Sequence, residues 1–346
     1  MKDLNMKITI VRAVIAILIV SVSLVAIAKE EQITYRNYIH NLEDNNNRAS
    51  LGYMLHRAWV QIFGKQDDKN KLSISSLDIE LLAKQNFAVA WLGHDTLLIK
   101  TGNFWTLTDP ILSRYATPFP PIGPKRLVDF PIDIKLLPHI DYVLISHDHY
   151  DHLDLNTVKD LANQNNGSPI FYVGKGLKKW FFEHVPNAKV EEMEWWESEK
   201  IDKLSFDFVP AQHSSGRCFF NKNSTLWGGW LIEYEKRKLY FAGDTAFKSQ
   251  LFQDIKSYAG EIHFAALPVG AYLPQELMQY EHMSPEDAIL AHSILKPNKS
   301  IAIHWGTFQL GDDTTDDVKK YFNSMHTNYS DESFNLPKIG EIVTIN

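Results

Sequence analysis

The chain has 346 residues, 45% of them apolar and 22% charged, with a formal net charge of −7. This is ordinary globular composition, long enough for a large core in one large domain or two small ones. The charge excludes the basic footprint of a nucleic-acid-binding protein, and the single cysteine, Cys218, excludes an internal disulfide.

The first segment differs from the rest. Lys2, Lys7 and Arg12 precede sixteen uncharged residues, 13–28, and charge returns at Lys29, Glu30 and Glu31. A basic start, a short apolar run and Ala26-Ile27-Ala28 predict a secretory signal cleaved after Ala28, hence an exported, periplasmic or secreted protein. Counted from Ile8 through Arg12, the run reaches the roughly 20 residues a spanning helix needs, so an uncleaved anchor in the inner or plasma membrane is the alternative. Residues 29–86 form an N-terminal extension of mixed polar and aromatic character, with weak helical patterning around 49–63.

From Phe87 the pattern changes. "FAVAWLGHDTLLIKTGNFWTLTDPIL" predicts three strands separated by a turn and a Gly-Asn turn. "YATPFPPIGPK" (115–125), with four prolines, is a loop. "IDYVLI" (140–145) suits a buried strand, and residues 154–164 suit a helix with Asp154 as N-cap. "KLSFDFVPA" alternates Leu204, Phe206 and Phe208 as a half-buried strand, and "GWLIEYEKRKLYFAGD" reads as two strands around a polar turn. "FAALPVG" and "SIAIHW" add short buried strands, and "SPEDAILAHSIL" (284–295) reads as a helix opened by Ser284, Pro285 and a capping-box Asp287. "GLKKWFFEHV" (176–185) is expected to put Leu177, Trp180, Phe181 and His184 on one core face; the competing reading makes Trp180, Phe181, Phe182 and two lysines an interfacial foot, with "TPFPPIG" a second foot. The strands are too many for one wound sheet, so a two-sheet core with helices outside is expected.

The polar residues fall at strand ends. His147, His149, Asp151 and His152 follow the strand at 140–145, His213 that at 203–209, Asp244 that at 238–242 and His304 that at 300–303. If the strands point one way, these side chains meet on loops carried by rigid elements. Imidazole and carboxylate are the ligands of zinc and similar divalent ions. Seven groups exceed one tetrahedral ion but suffice for two sharing a carboxylate. Two ions about 3.5–4 Å apart clamp attacking and leaving oxygens, and bound water loses its proton near pH 7. Three desolvated imidazoles without a metal would be costly, which argues against a purely structural cluster.

With these residues in view, the chain resembles the metallo-β-lactamase-fold hydrolases, and among them the N-acylphosphatidylethanolamine-hydrolysing phospholipase D family. The resemblance rests on "WLGHDTLLI", "LTDPIL", "GPKR", "LISHDHYDHLD", "EWWE", "PAQH", "LWGGW", "YFAGDT", "LPVGAYLP", "HMSPEDA" and "AIHWGTF" in that order, and covers residues 87–345. It implies an α+β fold, a four-layer αβ/βα sandwich of two mixed β-sheets flanked by helices, with hydrolase domain 87–346. It implies two zinc ions, although iron and manganese accept the same set. His147, His149 and His213 would hold one; Asp151, His152 and His304 the other; Asp244 and a hydroxide would bridge them. Hydroxide attack on a phosphodiester would give a phosphatidic acid and an N-acylethanolamine. Asp109, Tyr150, Gln212 and Arg217 are candidates for orienting ligands or touching phosphate, and His282 for donating a proton to the leaving alcohol. Asp151, Asp244 and His282 are thus the candidate catalytic residues. Glu281 departs from the neutral glutamine frequent at that place and is expected to alter binding of an anionic substrate. The alternative on the same fold is a metal-dependent lactonase of a small phosphorylated or lactone substrate. A tethered scaffold with a structural metal is the non-enzymatic reading. The expected partners are a phospholipid or other phosphodiester and a membrane surface, with no nucleic acid; a homodimer fits such a chain, though nothing in the sequence selects an oligomeric state.

Overall fold

A computed structural model describes residues 33–39, 72–132, 134–218, 221–328 and 333–345, and the fold is that of the unit Tyr35–Asn346. The candidate signal or anchor at 1–28 and the helical pattern at 49–63 lie outside the described residues. Among the described residues no helix is long and apolar enough to cross a membrane.

The first predicted strands form as β1 (Phe87–Trp91), β2 (Leu97–Thr101) and β3 (Phe104–Thr108), with Gly102 turning at φ 54°. Successive side chains of a strand face opposite ways. Phe87, Val89 and Trp91 therefore enter the cluster between the two sheets, while Ala88 and Ala90 enter a second cluster under the helices. Both faces are covered, so all five positions of β1 are buried. The chain continues through β4 (Tyr142–Leu144), β5 (Ile170–Gly174) and β6 (Lys189–Met193), then β7 (Ser198–Ile201), β8 (Leu204–Pro210), β9 (Gly228–Tyr234) and β10 (Arg237–Phe241). β11 (Phe264–Pro268), β12 (Lys299–Ile303), β13 (Phe334–Asn335) and β14 (Ile342–Thr344) complete the described strands. β8 is not half-buried as expected, because the face bearing Ser205, Asp207 and Val209 is largely covered too.

One sheet has the order β14-β1-β2-β3-β4-β5-β6, the other β13-β12-β11-β10-β9-β8-β7. β3 through β6 are parallel, and β1, two antiparallel steps from β3, shares their direction. In the second sheet β10, β11 and β12 are parallel, and β8 runs with them across the antiparallel β9. The strands expected to present ligands therefore end on the same side within each sheet.

Helices cover the outer faces. On the first sheet lie α1 (Ile79–Ala83), α2 (Leu155–Ala162) and α3 (Lys178–His184), contributing Leu82, Val158, Leu161 and Phe181 to its outer cluster. After α4 (Ser249–Ala259) and the short α5 (Gln275–Met278) come α6 (Pro285–Leu295) and α7 (Thr315–Asn328). α4, α6 and α7 pack Phe252, Ile255, Ala291, Leu295 and Phe322 against the second sheet. Asp154 and Ser284 cap α2 and α6 as predicted, the latter in a full capping box. Along α3 most of the expected core face forms: Leu177 and Phe181 are buried and Trp180, partly buried, packs against the same cluster, whereas His184, stacked on Trp180 at 4.8 Å, is exposed and Phe182 is 77% exposed.

The chain before Phe87 also packs on this frame. Leu72, Leu77 and Leu82 are buried, and Ile74 bridges Ile339.

Candidate metal centre

Three segments of the site leave their strands by a sharp turn. His94 follows β1, Asp109 follows β3 and His304 follows β12, all with positive φ (52°, 33° and 59°). For residues other than glycine that conformation costs on the order of 1–3 kcal/mol and persists where surrounding structure holds it. Here the surroundings do: His94 N donates to Thr307 Oγ1 at 2.8 Å, and His304 N donates to the His94 carbonyl at 3.2 Å. The two sheets are stitched beside the site, where Trp230 Nε1 and Gly228 N donate to the carbonyls of Ile145 and Ser146.

Two groups of ligand atoms result. His147 Nε2 lies 2.8 Å from His149 Nδ1, and His213 Nε2 lies 3.3 Å from the same atom. The second group is His94, Asp151, His152 and His304, with imidazole nitrogens 2.9, 3.1 and 3.4 Å from Asp151 Oδ2. Asp244 stands between them, with His304 Nε2 3.1 Å from one oxygen and His152 Nε2 and His213 Nε2 3.2 and 3.7 Å from the other. His282 Nδ1 is 3.8 Å from that second oxygen.

Hydrogen bonds behind the imidazoles decide which nitrogen faces inward. Asp109 accepts from Ser146 N (2.7 Å), from Ser146 Oγ and from His152 Nδ1 (2.8 Å). Ser146 Oγ, having donated its proton, accepts from His147 Nδ1 at 2.9 Å. One buried carboxylate thus orients an imidazole in each group, directly for His152 and through a serine for His147, leaving Nε2 of both turned inward. His213 is held likewise, its Nδ1 donating to the Glu281 carbonyl at 2.8 Å.

The electrostatics suit a cation. Burial pushes His213 down to about 3, and burial with His304 nearby does the same to His94. Burial and neighbouring imidazoles hold His147 well below its ordinary value. Neutral imidazole is the form that binds metal. Burial pushes Asp151 and Asp244 up, but the imidazoles of His152 and His304 outweigh it and hold both well below the usual carboxylate range. Conversely, burial lowers His152 and His304, yet the same carboxylates outweigh it and raise both. His152 Nε2, His304 Nε2, Asp244 Oδ1 and His282 Nδ1 are buried and out of alignment for any hydrogen bond. Inward-facing imidazole nitrogens, two carboxylates held ionised and an Asp244 oxygen with no hydrogen bond form a donor set that fits divalent ions.

Of the residues singled out in the sequence, His147, His149, Asp151, His152, His213, Asp244, His282 and His304 come together, with Asp109 behind them. The others lie in the surrounding loops. The Arg217 guanidinium donates through Nη1 to the carbonyls of Asp148 and Leu153 at 2.7 and 2.8 Å, and lies 4.0 Å over the Tyr150 ring. Tyr150 OH donates back to the Arg217 carbonyl, so the pair braces the ligand loop. Gln212 is buried, its N donating to Thr245 Oγ1. Glu281 accepts from Ser214 Oγ at 2.8 Å and has Lys222 at 3.9 Å; its side chain is partly exposed, and His213 and Lys222 outweigh its desolvation and hold its carboxyl down at about 2. Sequence reasoning missed His94 and Asp95. Both follow a buried strand within "GHDT", the same signal that picks out Asp244 and His304. Asp95 Oδ2 is 3.6 Å from His152 Nδ1, and burial pushes its carboxyl up to about 8.

A family model, the beta-lactamase superfamily domain, matches residues 104–305. The chain is 36% identical over 266 residues to "N-acyl-phosphatidylethanolamine-hydrolyzing phospholipase D 1" of Caenorhabditis elegans, covering 73% of this chain and 74% of that protein. The chain belongs to the beta-lactamase superfamily. Within the superfamily it is a hydrolase of the metallo-β-lactamase fold, related to the N-acyl-phosphatidylethanolamine-hydrolyzing phospholipases D. A second such relative, the mitochondrial enzyme of Saccharomyces cerevisiae, is 32% identical over 226 residues; the match spans 64% of this chain and 47% of that one. Among solved structures, a metallo hydrolase of Ignicoccus hospitalis shares the fold with a TM-score of 0.54 at 20% identity, covering 74% of this chain and 97% of that chain. The four-layer sandwich implied by the sequence motifs is the observed architecture.

Proposed function

We propose that this hydrolase is a phosphodiesterase of phospholipase D type, acting on N-acylphosphatidylethanolamine-like lipids to give an N-acylethanolamine and a phosphatidic acid. The observation that carries the reading is Asp244, with one oxygen toward His304 and the other toward His152 and His213, so that a single carboxylate serves both ligand groups. The names of the C. elegans and yeast relatives supply the substrate class.

His147, His149 and His213 would hold one divalent ion, and Asp151, His152 and His304 the other, with Asp244 shared and His94 against Asp151. Such ions would supply activated water at neutral pH and neutralise charge on the phosphoryl oxygens; zinc is the metal we assign. The chain's own residues do the rest. Asp109 and Ser146 engage Nδ1 of His152 and His147 and so turn Nε2 of each ring toward the ion. In the hydrolysis a water oxygen bonds to phosphorus and the bond from phosphorus to the ethanolamine oxygen breaks. The departing oxygen takes a proton, and His282 stands beside Asp244 with Nδ1 unbonded and its side chain 13% exposed, more open than His213 or His304. Phe182, beside Lys178 and Lys179, and Phe119, 63% exposed in the proline loop, support contact with a lipid surface.

The test is a panel assay of the zinc-supplemented chain against N-acylated phospholipids, other phosphodiester lipids and soluble lactones, with His213→Ala as control. Release of N-acylethanolamine by the wild type alone is expected. Lactone hydrolysis without any phosphodiester cleavage would transfer the site to the lactonase reading.

A further inference from the structure

We infer that the segment Tyr35–Ile39, far outside the stretch that carries the family motifs, is a working part of the metal centre, with Asn37 a positioning residue for His213. The inference rests on the reading that His147, His149 and His213 hold an ion.

His147 and His149 share one loop and brace each other through it; His213 comes from the other sheet and must be placed independently. Its ring is fixed by the Glu281 carbonyl. Its backbone has left the β8 ladder, and a buried N–H needs an acceptor. That acceptor is Asn37 Oδ1, at 2.9 Å, from 176 residues away in sequence. The same oxygen accepts from Trp227 Nε1 at 3.2 Å, and Trp227 Nε1 also reaches the Ala211 carbonyl at 3.1 Å. One amide oxygen therefore ties the end of β8 to the start of β9 where His213 emerges.

The segment is itself anchored at both ends. Tyr35 N donates to the Asn223 carbonyl at 2.8 Å, and Asn223 in turn pairs with Ser215, two residues beyond His213. Tyr38 OH donates to Asp254 on α4, and its ring meets Trp195 and Trp196 edge-on at 6.1 and 5.6 Å. These contacts leave Asn37 little freedom, which is what a positioning group requires.

Nothing in the segment touches Asp151, His152 or His304, so its loss should affect one ion and spare the other. The experiment uses the full chain loaded with zinc and measures zinc retained per chain as a chelator is titrated. Wild type sets the reference. Asn37→Ala should release one of its two ions at about 10–100-fold lower chelator concentration, the usual effect of losing a partner behind a ligand, while the second ion follows the wild-type curve. Asn37→Asp, which keeps the acceptor oxygen, should restore wild-type retention. Should the alanine variant not fold, Asn37→Ser, whose hydroxyl is too short to reach both donors, is read in the same way. Retention of both ions as in wild type overturns the inference, and so does an equal loss of both. A wild-type chain that takes up no zinc overturns it together with the functional reading beneath it.

Discussion

At the scale of single residues, the centre depends on how imidazoles are turned as much as on which imidazoles are present. Asp109 touches both ligand groups, so Asp109→Asn, which points an amide donor at His152 Nδ1 and Ser146 Oγ, should weaken retention of both ions by about 10–100-fold. Ser146→Ala interrupts only the branch to His147 and should weaken one ion. A chelator titration of the two variants separates these outcomes; equal effects would contradict the branching. Gly243 carries φ 58°, and a Cβ there would lie 2.7 Å from Ser146 Cβ. Gly243→Ala should therefore cost on the order of 1–3 kcal/mol, read by denaturant unfolding. The clustered imidazoles and carboxylates proposed as ligands were legible because each follows an apolar run, a contrast that the order of residues makes visible. The roles of Tyr150 and Arg217 were not legible: a guanidinium that braces a loop and one that meets phosphate look alike until their partners are seen.

At the scale of elements, strand ends aim the chemistry, and short apolar runs bounded by turns reveal most of those strands. His94 and Asp95 obey the same rule after β1, and applying it there too would have found them. Asn37 obeys no such rule. It acts through backbone and indole N–H groups brought near by tertiary packing, and no periodicity records that. β8 shows a related gap: alternation predicted one wet face, but that face is largely covered in the fold, and Asp207 is buried there. Burial pushes the Asp207 carboxyl above its usual value. A carboxyl raised in the folded state disfavours folding when ionised, and that cost fades as pH falls through its folded value. Asp207→Asn should therefore raise the thermal midpoint at pH 7 and leave it unchanged near pH 3. A gain of equal size at both values would show that burial of charge is not the cause. Ser284, whose side chain closes the capping box of α6, should cost about 1 kcal/mol when changed to alanine, read as a lower midpoint of unfolding.

At the scale of the whole molecule, two sheets each direct the strands bearing the proposed ligands to one side, and helices pack on the outer faces of both. The expected lipid contact belongs to this scale. Phe182 and Phe119 are exposed on separate loops and helices, and replacing both with serine should reduce sedimentation with phospholipid vesicles while leaving hydrolysis of a soluble phosphodiester intact. Unchanged sedimentation would remove both residues from that role. Everything in the proposed chemistry rests on two ion sites joined through Asp244. The direct measurement is elemental analysis of the purified full-length chain beside its Asp244→Asn variant. The account predicts two equivalents of divalent metal per wild-type chain and a loss of at least one in the variant. One equivalent or none in the wild type, or two undiminished in the variant, would contradict it.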